Sequence, residues 1–498
     1  MNTNFRFAID RIKKEYAKQE NVKPFNKYIV LYRAVKECIL KKELPNNWLL
    51  PSTRRLAQEL NLSRTTINKS YELLQLEKLI ESKLGSGNRI SYEDSILKVK
   101  DTTTKGAENK VLYPSISEKG MSYLKNISLI NRLPNNNLAF RPGLPPLDVF
   151  PVNQWKKLLN TYWRHIKSSG LSYSQSTGLE ELKKSISNYL NVSRNIKCNY
   201  EQIVIVSGSL QSLYLIANTL INKSDAVVLE NPIFPNVHSV FKSSQAKLIP
   251  VSLDKEGLSV KELETLKDAP KLIHLTPSNH YPTGTKMSLK RRQEILHWAS
   301  KKNALIIEND YENEIANTEE TVPSIFSLDT EDRTIYMGTF NRLLHPSIRL
   351  AYVIVPKYLI PAVQALQEHS HRFVSPSIQV VMNQFIEKNY LYQHIKTAME
   401  VARERHDLFK TEFKKISKKM YLQEKPFSSF HVLALFYEEV TVGEETQVIE
   451  NLKSLNISAF SLSKCYIGEP LQKGIILGYG SVRPSVIKKK IKTMEGMI

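Results

Sequence analysis

The chain has only three cysteines in 498 residues, Cys38, Cys198 and Cys465, and no two of them fall in a CxxC spacing. An odd number of widely separated thiols excludes a disulfide framework and supplies no zinc motif, so buried free thiols and no metal site are expected. No stretch approaches the roughly 18 consecutive apolar residues that a membrane-spanning helix needs. The N-terminal run MNTNFRFAIDRIKKEY is interrupted by Asp10 and Arg11, which breaks any signal-like apolar core. A cytoplasmic protein without a membrane partner is the expectation. No internal repeat is found, which removes solenoid architectures.

What is present is length and positive charge. At 498 residues the chain exceeds one ordinary core, and at about 100 to 200 residues per domain it should hold two or three. With 41% hydrophobic and 24% charged residues, the composition is that of a globular protein. Of the net charge of +21, +9 lies within residues 1–100, so the first fifth is the more basic part per residue. That density suits phosphate neutralisation, although any polyanion would satisfy it.

Apolar periodicity organises the N-terminal part. KYIVLYRAVKECILKK places Ile29, Tyr32, Val35 and Ile39 on one helical stripe. Ser52 is positioned to cap a short second helix carrying Leu56, Ala57 and Leu60, with Asn61-Leu62 as the turn and Ser63 as the cap of a third helix. Two helices joined by so short a turn form a helix-turn-helix. The runs LIES and NRIS then flank the tip KLGSG, and together they read as a two-stranded wing. Residues 93–134 lose periodicity and read as a polar tether.

In a helix-turn-helix the start of the second helix of the pair meets the major groove and its N-terminus faces phosphate. Arg64, Thr65, Thr66, Asn68 and Lys69 occupy that stretch, Arg54 opens the preceding helix, and Lys83 and Arg89 flank the wing tip. On residue types alone these side chains could equally be a solvated polar face. The segments LYRAVKECILKKEL, LPSTRRLAQELNLSRTTINKSYELLQLEKLIES and GSG, however, resemble the winged-helix domain of the GntR superfamily. The resemblance implies contacts with double-stranded DNA from Arg54, from the Ser63 to Thr66 helix start and from the wing glycines Gly85 and Gly87 with Ser86 between them. Trp48 departs from that family, standing where a small or polar turn residue is usual.

From about residue 137, short β-branched runs (IVIVS, AVVLE, KLIHLTP, ALIIEND, TIYMGTF, LAYVIVP) alternate with helical patterns, which predicts an α/β domain with a largely parallel sheet. Ligands of such sheets bind at the C-terminal ends of the strands. The last 90 or so residues read as a smaller α+β subdomain. The landmarks FRPGLPPLDVFPVNQW, YSQSTGLEELKKSISNYL, SGSLQSLYLIA, ENPIFP, LTPSNHYPTG, IIENDYENE and GTFNRLLHPSIRLAYVIVP resemble, in order and spacing, the fold-type I pyridoxal-phosphate-dependent aminotransferases. A GntR-like module ahead of such a body is the arrangement of MocR-type regulators. The implied division is an N-terminal extension (1–26), a winged helix (27–92), a linker (93–134) and an aminotransferase-like domain (135–498), its small subdomain beginning near 380.

Such chemistry requires a lysine amine for the imine, a carboxylate facing the pyridine nitrogen and donors for the phosphate. The resemblance aligns Arg342 with the lysine. A guanidinium stays protonated in proteins and cannot serve as the nucleophilic amine, so no catalytic residue is assigned. Asn309 falls at the carboxylate position, and a neutral amide holds a ring nitrogen less firmly than an ionised group, at about 1 against roughly 1.5 to 3 kcal/mol. A one-residue slip onto Asp310 would restore that carboxylate. Among the cofactor-binding positions, Asn341 replaces a serine and Leu210 a glutamine, Phe234 supplies the ring-stacking aromatic, and Tyr281 and Tyr311 complete the set. Ser209, Arg349 and Tyr173, the last donated across a dimer interface, remain as anion ligands, while GIILGYGSV offers no arginine for a substrate carboxylate. The resulting expectation is a homodimeric, sequence-specific regulator that senses a small-molecule effector and holds pyridoxal phosphate non-covalently at best. Its rivals are a working aminotransferase with an attached DNA-binding module and a regulator whose second domain is a ligand-free scaffold.

Overall fold

Phe5, Ala8, Ile9, Ile12 and Tyr16 recur at three- and four-residue steps, and Thr3–Glu20 forms a helix, α1, with the last four of these side chains buried. What the sequence presented as an extension is therefore part of a core. Helix α2 (Lys27–Leu40) packs against α1. Covered on two sides, it buries Val30, Leu31, Ala34, Val35, Cys38 and Ile39, while Ile29 and Tyr32, expected in the buried stripe, are only half-buried. Helix α3 (Thr53–Leu60) starts at Ser52, whose Oγ accepts from the Arg55 N–H at 3.3 Å, and stops at Asn61 in the left-handed region. Helix α4 (Arg64–Leu76) starts at Ser63, whose Oγ accepts from the Thr66 N–H at 3.1 Å.

Strands β1 (Ile80–Lys83) and β2 (Gly87–Ile90) pair antiparallel, with Ile80 opposite Ile90. Leu49 forms a bridge with Arg89, and Ile90 N–H donates to Trp48 O at 2.8 Å, so the turn before α3 extends the wing sheet. The Trp48 ring lies edge-on to Phe7 of α1 at 6.0 Å. The unusual indole thus joins the extra helix to the wing side of this core.

The computed structural model describes residues 3–20, 26–83, 87–92, 114–130, 138–316 and 321–498, which divide into two units at Tyr113/Pro114. The tether expected over 93–134 does not hold throughout. Residues Glu118–Asn126 form helix α5, capped by Ser117, and Asn126 O accepts from Ser239 Oγ at 3.1 Å. Leu124 and Ile127 stay exposed there, so the helix has little apolar periodicity to read. The stretch 93–113 lies outside the described residues.

In the second unit, helices α6 (Val152–His165) and α7 (Glu180–Arg194) precede β3 (Ile203–Val206), α8 (Ser209–Leu220), β4 (Ala226–Asn231), α9 (Pro235–Ser243), β5 (Lys247–Asp254), β6 (Gly257–Leu258), β7 (Leu272–Leu275), β8 (Leu305–Asn309), β9 (Thr334–Thr339) and β10 (Ala351–Ile354). The sheet order is β3-β10-β9-β8-β7-β4-β5-β6. Strands β9, β8, β7, β4 and β5 are parallel, and β10 runs antiparallel to both of its neighbours. Because two reversals cancel, β3 points the same way as the parallel set. Strands β3, β7 and β10 are buried along their whole length, as expected for strands covered on both faces.

The small subdomain is an antiparallel sheet, ordered β11 (Met420–Leu422), β12 (His431–Phe436), β14 (Gly474–Gly478), β13 (Phe460–Ser461). It begins later than expected. Helix Pro376–Glu387 contributes Val381, Met382 and Phe385 to the core of the large sheet, and only the far half of helix Tyr390–Ile416, with Phe409 and Phe413, joins the small one. That small core also takes in Phe140, with Gly478 N–H donating to Phe140 O at 2.8 Å.

Candidate functional site

The exposed face of α4 is fixed by its cap. With Ile67, Ser70, Tyr71 and Leu74 turned inward, Arg64, Thr65, Asn68 and Lys69 are left outside, and Thr66 is half-buried with its Oγ1 2.8 Å from Ser63 Oγ. Lys69 Nζ stands 5.6 Å over the Tyr28 ring, and Arg54 is exposed in the first turn of α3. Gln75 Nε2 donates to Asn88 Oδ1 at 3.0 Å, which ties α4 to the wing. Arg89 is exposed but engaged, its Nη1 donating to Asn47 O at 2.7 Å, so it first fixes the bridge at Leu49. Gly87 adopts a left-handed φ of 80° at the start of β2. Gly85, Ser86 and the Lys83 side chain lie outside the described residues.

In the second unit, β3, β4, β7, β8 and β9 bring their C-terminal ends to one edge of the sheet. There a small cavity is lined by Ser209, Leu210, Leu213, Phe234, Asn236, Val237, Tyr281, Asn309, Tyr311, Thr339 and Arg342. Ser209 is the first residue of α8, whose preceding Gly208 offers no side-chain cap, so this helix end presents N–H groups. Phe234 and Tyr281 meet edge-on at 4.9 Å. The hydroxyls of Tyr281 and Tyr311 are buried and have no hydrogen-bond partner among the described residues, and burial pushes both phenols upward from their ordinary range.

Asn309 is the last residue of β8 and Asp310 follows it, and the two side chains have different surroundings. Asn309 lines the cavity. Asp310 turns away and accepts from Arg194 Nε at 2.9 Å and Tyr336 Oη at 2.8 Å, both buried. A slip of register does not return a carboxylate to the cavity.

Arg342 follows β9, and Gly143, Glu312 and Tyr311 are among its neighbours. Its Nη1 donates to Gly143 O at 2.6 Å and lies 3.8 Å from Glu312 Oε1, while its Cζ stands 5.6 Å from the Tyr311 ring centroid. Gly143 has φ +75°, where any other residue is strained, and a Cβ there would fall 1.5 Å from Nη1 and displace the guanidinium. Glu312 is buried; desolvation raises its pKa and Arg342 works against that rise. His431 is lowered to about 4 by burial, with Arg342 acting in the same direction. Sequence reasoning missed Gly143, Glu312, Leu213, Asn236, Val237 and Thr339. Of these, Gly143, Glu312, Leu213 and Thr339 lie in quoted runs, whereas Asn236 and Val237 follow just after ENPIFP.

Other expected residues fall beside the cavity or away from it. Asn341 Oδ1 accepts from Leu350 N–H at 3.0 Å, and Arg349 Nη2 reaches Ser207 Oγ at 3.4 Å. Neither is among the lining residues, although both approach Gly208. Tyr173 is 78% exposed and packs with Arg372 and Phe373 instead of entering the cavity of its own chain. Strand β14 places Ile476 with Leu433, Leu435, Tyr281 and Tyr311, so this side is apolar. Among the described residues no group of three or more His, Cys, Asp or Glu side chains could hold a metal, and no helix is long and apolar enough to cross a membrane.

Residues 143–455 match the family described as aminotransferase class I and II, and residues 27–90 match the gntR family of bacterial regulatory proteins. The chain is 28% identical over 465 residues to the probable rhizopine catabolism regulatory protein MocR of Rhizobium meliloti, covering 93% of this chain and 92% of that one. It is 28% identical over 472 residues to the uncharacterized HTH-type transcriptional regulator YdeL of Bacillus subtilis (strain 168), covering 94% and 96% respectively. The multiple substrate aminotransferase of Thermococcus profundus shares the fold of the second unit, with a TM-score of 0.67 at 22% identity over 77% of this chain and 97% of that one.

Proposed function

The chain belongs to the aminotransferase class I and II family and is a DNA-binding regulator of the MocR type, with a GntR domain at its N-terminus; from that premise we propose that its second unit binds an aromatic phosphate without reacting with it. The observation that carries this reading is Arg342 in the cavity wall, at the position where the family resemblance puts the imine-forming lysine. The lining contains neither a lysine nor a carboxylate.

Bound to a lysine, pyridoxal phosphate supplies an electron sink for amino-acid chemistry. The residues here do not fit that covalent form. They fit a ligand held by contacts alone: the α8 N-terminus with Ser209 for a phosphate, Phe234 for a ring face, the Asn309 amide for a ring nitrogen, and the Tyr281 and Tyr311 hydroxyls for further polar groups. The buried apolar cluster around Ile476 supplies no cation of its own for a substrate carboxylate.

In this reading the protein acts in the cytoplasm as a homodimer through its second unit, and Arg54, Ser63, Arg64, Thr65, Thr66, Asn68 and Lys69 meet an operator. Ligand changes promoter output by binding DNA-competent and incompetent arrangements unequally. Two measurements on the purified full chain test it. Selection from a random duplex pool should enrich one symmetric sequence. Borohydride reduction in the presence of pyridoxal phosphate, followed by peptide mass mapping, should leave no stoichiometric adduct in the second unit. A stoichiometric adduct on any one lysine of the second unit, or turnover with amino donors, would favour the enzyme reading instead.

A further inference from the structure

The charge of Arg342 is both pinned and permanent. Nη1 is held by the Gly143 carbonyl at 2.6 Å, the guanidinium faces Tyr311, and 23% of its side chain stays accessible. Its counter-charge, Glu312, has a side chain with no exposure and is not among the lining residues. Tyr281, Tyr311, Asn309, Thr339 and Ser209 are neutral. A ligand in this cavity therefore meets a cation directly and the balancing anion only behind it. A lysine in this place could discharge by giving up a proton, but a guanidinium cannot.

We infer that Arg342 makes the cavity selective for the charge of the ligand substituent that meets it, admitting hydrogen-bond acceptors and anions and rejecting an ammonium group. For phosphorylated pyridines this predicts that the aldehyde, alcohol and carboxylate forms are held and the amine form is excluded. The consequence extends beyond the missing imine. Moving an amino group from a donor onto a cofactor leaves the cofactor as its amine, so the cavity is mismatched to the product of such a half-reaction as well as to its chemistry. The inference rests on the reading of this cavity as a ligand site.

Isothermal titration of the full chain near neutral pH, with pyridoxal 5′-phosphate, pyridoxine 5′-phosphate, pyridoxamine 5′-phosphate and inorganic phosphate, tests it. The alcohol forms no imine with any lysine, so it reports non-covalent fit cleanly. Aldehyde and alcohol should bind within about threefold of each other and the amine about tenfold or more weaker, as expected for one partly screened like-charge contact. Arg342→Met should bring the amine to within about threefold of the alcohol, whereas Glu312→Gln, which removes the balancing anion, should widen the gap. The comparison of the three vitamers on the unaltered chain decides the question even where a variant folds poorly. An amine form that binds as tightly as the alcohol overturns the selectivity and leaves the ligand-site reading standing. No binding by any vitamer beyond inorganic phosphate overturns both.

Discussion

Replacing Arg342 by methionine should cost more stability at alkaline than at acid pH, and the structure gives the reason. Two contacts are lost. The donation to Gly143 O at 2.6 Å is a charged-to-neutral hydrogen bond at a partly open site, about 1.5 kcal/mol, and it does not depend on the state of Glu312. The second contact is the approach to Glu312 at 3.8 Å with 23% of the arginine side chain exposed. Unit charges at that separation attract by roughly 4 kcal/mol at an effective dielectric near 20, which screening reduces to about 1 to 2 kcal/mol. Glu312 already has a raised pKa through burial. A carboxyl raised in the folded state gives stability that is complete below its unfolded pKa and is lost as pH rises through the folded value. Arg342 favours the ionised form, so removing it lifts the folded pKa further and enlarges that loss. Urea unfolding of the second unit, followed by circular dichroism, should show Arg342→Met costing about 1.5 kcal/mol at acid pH, where Glu312 is protonated, and about 3 kcal/mol at alkaline pH, where it is ionised. Adding Glu312→Gln should remove the pH dependence of the cost. An equal cost at both pH values, or a larger one in acid, would refute the pairing.

Three further outcomes are expected. Ser63→Ala removes the side chain that accepts from the Thr66 N–H and should cost about 1 kcal/mol in the first unit, read by urea unfolding, together with a loss of DNA affinity read by fluorescence anisotropy. Lys69→Ala should reduce the slope of log affinity against log salt by about 0.9 if Lys69 neutralises one phosphate; an unchanged slope would exclude it from the interface. Ile12→Ala, at a fully buried site of α1, should destabilise the first unit by about 2 to 5 kcal/mol, whereas an effect under about 0.5 kcal/mol would mean that α1 is not part of that core.

Features were legible in the sequence where their cause is local. Ser52, Asn61 and Ser63 act on backbone within four positions, and each does in the structure what its residue type suggested. Strands β3, β4, β7, β8, β9 and β10 were readable because burial on both faces demands continuous apolar runs. Strand β5 escaped notice because KLIPVSLD contains Pro250 and is fully buried only at Val251. Helix α1 was hidden by its charged outer face, and its apolar stripe acquires meaning only once α2 is in place against it. In the cavity, Arg342 could be aligned from one motif, but its partner Gly143 is 199 positions away. Nothing in the run RPGLPPL shows that a guanidinium will occupy the space of a missing Cβ. Chemistry was readable where one residue decides it and unreadable where two distant segments must meet.

That pairing also determines what a reversion would do. Imine formation needs a neutral amine, and a carboxylate 3.8 Å from the side chain at position 342 favours the ammonium form. Arg342→Lys alone should therefore yield a reluctant nucleophile, because each unit by which Glu312 raises the lysine pKa removes about tenfold of the reactive amine. Arg342→Lys combined with Glu312→Gln frees that amine and should form a borohydride-trappable adduct with pyridoxal phosphate about tenfold faster than the single variant, as read by intact mass over time. If the double variant is no faster, Glu312 does not control the ionisation of position 342, and the electrostatic account of this cavity fails. If it is faster, the buried carboxylate and the arginine form a matched pair, and the loss of the amine extends beyond one position to its surroundings.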